Sequence, residues 1–195
     1  MPRVKFDPGL YTPAIQELLK PERLCPLGPG TPNRAARASL ESLSLDQLFA
    51  PHRIQDRDMA AACLAGLWLY HDFLDESHEI SQKIDSNTGS YWHGIMHRRE
   101  PDFPNAKYWF RRVGKHPIFE PLWQATAELA AKGGTDPSAD FLATQPAWDP
   151  FDFVDLCEKC SAGQSPLEML CLQIQQCEWQ LLFDFCFRRS VVSQG

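Results

Sequence analysis

The run Met59–Tyr70 (MAAACLAGLWLY) limits the fold of this chain more than any other feature. A helix built from it is apolar around nearly its whole circumference, so neighbours must cover it on every side. No segment alternates convincingly with period two, and no internal repeat is present. These patterns predict an all-α fold, a single-domain helical bundle with a long central helix. Hydrophobic residues make up 44% of the 195, enough to bury a core without disulfides or a structural metal.

The central helix is expected from Asp56 or Asp58 to about Lys83, turning polar after Tyr70 in the stretch HDFLDESHEIS. Residues 1–35 carry seven prolines, each of which fixes φ and removes a donor. Residues 1–40 are therefore expected to form an irregular arm on the body, with a short helix near Pro13–Leu19. Residues 41–195 are expected to form one helical domain. Within it, Ser44-x-x-Gln47 reads as a capping box. Further helices are expected from Thr88 to Arg99, from Asp102 or Phe103 to Gly114, from His116-Pro117 to Ala131, and from Asp149-Pro150 to Cys160. Gly133-Gly134 and Gly163 are expected stops, and 133–148 reads as a loop. Ser165-Pro166-Leu167-Glu168 reads as the start of a long helix that ends near Arg188-Arg189.

Nineteen cations against 25 acids argue against binding a long nucleic acid. Locally the balance reverses: between Trp92 and His116 six cations face only Glu100 and Asp102. Such a patch suits a small anionic molecule. No apolar run approaches bilayer length, so no membrane span is expected, and the opening residues do not read as an export signal. Seven cysteines, an odd number, then read as free thiols in a reducing cytoplasm. Oligomeric state leaves no mark in the sequence.

The reactive side chains crowd between His71 and His116. On one continuous helix His71 and His78 fall about 20° apart, with Asp75 roughly 40° from His71. That row extends the stripe of Leu64, Leu67 and Trp68, where ionisable groups need partners. His93 and His97, four apart, share a face of the next helix. A short antiparallel connection brings His78 near His93 and Asp75 near His97. Imidazole and carboxylate together suit zinc, iron or manganese, and helical bundles build such sites from facing side chains. Asp75, His78, His93 and His97 are the expected ligands, with His71 or Glu79 as a supporting group or base. Neither a repeated Glu-x-x-His nor a His-Glu-x-x-His motif is present.

A second group holds Tyr91, Arg98, Arg99, Asn105 and Arg112, whose arginine forks could grip the acid group of a substrate. The alternative for these arginines is neutralisation of nearby carboxylates. Cys157-x-x-Cys160 lacks a second pair for a zinc ribbon and the helix N-terminus that lowers a redox thiol's pKa. Three functional readings follow: a metal-dependent enzyme acting on a small anionic substrate, a non-catalytic module binding an anionic ligand or protein partner, and a purely structural polar network.

Overall fold

The computed structural model describes residues 6–132, 136–161 and 165–192, and every regular element within them is helical. The α-helices are α1 (Pro13–Leu19), α2 (Arg34–Ser42), α3 (Leu45–Phe49), α4 (Arg57–Tyr70), α5 (Leu74–Ser81), α6 (Asn87–Arg99), α7 (Phe103–Val113), α8 (Phe119–Lys132), α9 (Phe141–Thr144), α10 (Pro150–Ser161) and α11 (Glu168–Ser190). Among the described residues no helix is long and apolar enough to cross a membrane.

The expected continuous helix from Asp56 to Lys83 is broken. α4 stops at Tyr70, and Asp72 takes a left-handed φ of 62° before α5 begins. Aspartate tolerates that conformation better than most residues. Here its carboxylate, only 2% exposed, is also gripped by Arg99 and by Arg23. The break turns α5 against α6, so the azimuths expected of one straight helix do not apply beyond Tyr70.

The segment expected as an irregular arm contains α1 and α2, and the expected boundary at residue 40 falls inside α2. Side chains tie it to the body. The buried His71 imidazole lies 2.9 Å from the Leu18 carbonyl and 3.0 Å from the Asn33 amide. The Arg99 guanidinium donates to the carbonyls of Gly28, Pro29 and Leu69. The capping box at Ser44 and Gln47 forms as expected.

Residues 133–148 are not wholly loop: a 3-10 turn at Pro137–Ala139 and α9 occupy part of them. The expected stops at Gly133-Gly134 and Gly163 lie outside the described residues. α11 starts at Glu168, three residues after the expected cap, because Ser165 Oγ accepts from the Leu167 N–H within a preceding turn.

The main core joins α4, α6 and α11 through Leu67, Trp92, Met96, Leu182 and Phe183. A smaller cluster lies under α8, α9 and α10 around Leu122, Leu142, Phe153 and Ile174. Where α4 passes α6 the contact is close. A Cβ on Gly66 would lie 2.8 Å from the Trp92 ring, so glycine at 66 sets the spacing. α6 is the helix enclosed on all sides: every residue from Thr88 to Arg99 is buried, although the segment contains two histidines and two arginines. Such groups have to find partners inside the protein.

Candidate metal centre

The partners divide α6 into two chemistries. Its last two residues are structural cations. Arg98, fully buried, donates to Glu178 of α11 at 2.5 Å, and Tyr91 donates to the same carboxylate at 3.1 Å. Arg98 also lies over the Phe153 ring at 4.6 Å. Arg99 is taken up by Asp72 and three backbone carbonyls. Tyr91, Arg98 and Arg99, expected at a substrate, therefore face fixed internal partners. The basic patch loses two of its six cations to the interior.

The histidines of α6 face the other way, toward α5 and α7. His78 lies against His93 with ring centroids 4.5 Å apart and against His97 at 5.3 Å, while His93 and His97 are 4.7 Å apart. One ring nitrogen from each comes within 4.8 Å of the other two. His93 and His97 are buried, and the half-buried His78 stands on the solvent side. The geometry has a local origin. Ser86 caps α6 by accepting from the Gly89 N–H, which fixes the register that puts His93 and His97 on the face toward α5. Asp102 caps α7, and Pro104 in its first turn aims Asn105 and Trp109 at the same point.

Neighbouring groups set the tautomers. His97 Nδ1 lies 3.0 Å from Glu100 Oε2, so Nδ1–H donates to the carboxylate and Nε2 carries the lone pair. Ser81 Oγ donates to the His78 carbonyl, which leaves its oxygen to accept from His93 Nδ1 at 3.4 Å. Both buried imidazoles thus present the lone pair on Nε2, and on His97 a Lewis acid would have to displace the Asn105 amide from it. Asn105 Nδ2 sits 3.1 Å from His97 Nε2, and the Trp109 indole stacks on His93 at 3.9 Å and 28°. Burial pushes His93 down to about 3, helped by repulsion from His97 and His78. Burial lowers His97 as well, against the pull of Glu100. Both are neutral, the form that ligates a metal, at ordinary pH.

Of the four expected ligands, the structure brings together His78, His93 and His97. Asp75 is exposed, lies outside the group, and lines a groove of about 950 Å³ with Glu76, Glu100 and Asp102. His97 meets His78 where Asp75 was expected, because the break at Asp72 rotates α5. His71 is held away by Leu18 and Asn33, and Glu79 is exposed. Asn105 contacts His97 rather than open space. Arg112 is half exposed, 5.2 Å over the Trp109 ring and 3.7 Å from Asp85. The sequence reading missed Ser81, Trp109 and the role of Glu100. Ser81 was legible in principle, since it follows His78 by three residues on one helix face.

Zinc held by three imidazoles at about 2.0–2.1 Å keeps those nitrogens roughly 3.3 Å apart. The triad nitrogens lie within 4.8 Å of one another, so closing them on zinc needs relative movements of up to about 1.5 Å. Comparison with family models, with curated proteins and with solved structures finds no match.

Proposed function

We propose that the chain is a metal-dependent enzyme that holds one zinc ion on His78, His93 and His97 and hydrolyses or hydrates a small substrate. The observation that carries this reading is the convergence of three imidazoles, two of them buried, neutral and oriented through Nδ1 by Glu100 and Ser81. A ligand set of nitrogen alone favours zinc over iron or manganese, which prefer a carboxylate in the set. The nearest carboxylate, Glu100, is engaged with His97 Nδ1, where it raises the basicity of Nε2. Zinc with three protein ligands keeps a fourth position for water and supplies hydroxide near neutral pH. His78 leaves that position facing solvent. Arg112, braced on Trp109, is the one of the three arginines expected at a substrate that stays at the surface to meet its anionic group.

A structural polar network is the competing reading, favoured by Asn105 and Trp109, which engage two of the rings without an ion. Zinc titration of protein without a histidine tag separates the two. The enzyme reading expects one equivalent bound and a raised melting temperature, both abolished by His93→Ala or His97→Ala. Absence of binding, with His97→Ala acting on stability alone, leaves the network.

A further inference from the structure

Far from the histidines, in the smaller core cluster, three thiols meet between α10 and α11. Cys160 Sγ lies 3.4 Å from Cys171 Sγ, and the Cys157 thiol also neighbours Cys171. All three are buried, at 1%, 3% and 0% exposure for Cys157, Cys160 and Cys171. We propose that Cys160 and Cys171 are a site of oxidative modification, converted to an intramolecular disulfide by a peroxide.

Distance favours this pair. A disulfide holds its sulfurs at about 2.05 Å, so closure needs roughly 1.4 Å of relative movement. Position favours it also. Cys160 lies in the last turn of α10 between the exposed residues Lys159 and Ser161, and its thiol touches the half-buried Ser165 hydroxyl at 3.4 Å. A molecule the size of peroxide needs little local opening to reach it. The contrast is Cys63 with Cys186. Their thiols are also neighbours, but Cys63 is turned to the Phe183 carbonyl, Cys186 accepts from the Trp92 indole, and both are fully buried in the main core. That pair remains reduced.

The chemistry balances in two steps. Cys160 sulfur attacks one peroxide oxygen and becomes a sulfenic acid, and the other oxygen leaves as water with the thiol proton. Cys171 sulfur then displaces the hydroxyl from Cys160, which departs with the Cys171 proton as a second water. Two thiols lose two electrons in total, and one hydrogen peroxide is reduced to two waters. Cys157 and burial both keep Cys171 protonated, so Cys160 is the thiol that meets peroxide first, and Cys171 gives up its proton as it attacks the sulfenic sulfur. The bond joins the end of α10 to the start of α11.

The test is a peptide map of the full chain treated with hydrogen peroxide under native conditions, then alkylated after unfolding without reductant. Cleavage after Glu158, Glu168 and Glu178 puts Cys160 in one peptide and Cys171 with Cys177 in another. The expected product is those two peptides linked, two hydrogens lighter than their sum, with fragmentation placing the bond on Cys171. Dithiothreitol separates them, and Cys63 and Cys186 stay alkylatable. The oxidised protein melts roughly 5–10 °C higher than the reduced form. Cys160→Ala abolishes the link, and the wild-type map stands without it. Sulfinic acid on Cys160 with Cys171 still free, or a Cys63–Cys186 link in its place, overturns the proposal.

Discussion

Individual side chains on α6 are held by specific partners: His93, His97, Arg98 and Arg99 each meet at least one polar group from elsewhere in the chain. Arg98 and Glu178 form a fully buried pair. Taking two charges out of water is costly, and removing one leaves the other without compensation. Glu178→Gln should therefore destabilise the fold by about 3–5 kcal/mol, measured as a lower denaturant midpoint. The exposed pair of Lys20 and Glu17 should contribute under about 1 kcal/mol when broken. If Glu178→Gln proved as mild as that, Arg98 would not be the internal cation described. By sequence alone, Arg98 and Arg99 fit both a ligand-gripping role and ion pairs. What separates those readings is the partner, and Glu178 lies 80 positions away on α11. One local clue existed. Glu178 falls on the α11 stripe of Cys171, Ile174, Gln175 and Leu182, all buried, where a lone acid demands a cation.

Among the elements, what was legible followed the range of the interaction. Helix ends specified by neighbouring residues came close: the cap at Asp102, Pro104 in the first turn and Gly114 beyond the end give α7 its bounds. The break between α4 and α5 was not legible. HDFLDESHEIS contains no proline or glycine, and Asp72 takes its left-handed conformation in the grip of arginines 27 and 49 residues away. The same break explains why the His78–His93 meeting was anticipated and the Asp75–His97 meeting was not. Short loops bring α5 beside α6 whatever the axial rotation, but rotation decides which carboxylate joins. The crossing of α4 and α6 offers a test at this scale. Gly66→Ala gains helix propensity of about 1 kcal/mol, yet its methyl would meet Trp92 at 2.8 Å. Overpacking of about 1–3 kcal/mol should outweigh that gain and lower stability in denaturant titration. A stabilised variant would mean the helices are not in such close contact.

For the whole molecule, buried neutral histidines link stability to pH. Burial pushes His116 down to about 4, with Arg189 repelling its charged form. Burial lowers His71 too, with Arg23 adding to the shift while the Leu18 carbonyl and Asp72 oppose it. In the unfolded chain these groups titrate near 6.5. Between the two states' values the unfolded chain binds protons that the folded chain refuses. Their contribution is complete above about pH 7 and is lost as pH falls toward 4. With a chelator present, the melting temperature should drop by roughly 5 °C or more from about pH 7.5 to about pH 5. A flat profile would mean that these rings take up protons within the fold.

The proposed zinc chemistry rests on the histidine triad, and metal stoichiometry tests it most directly. Elemental analysis of the tag-free protein, dialysed after zinc loading, should find one zinc per chain in the wild type and none above background in His93→Ala. Wild-type protein that retains no zinc, or His93→Ala that retains as much as wild type, would contradict the account.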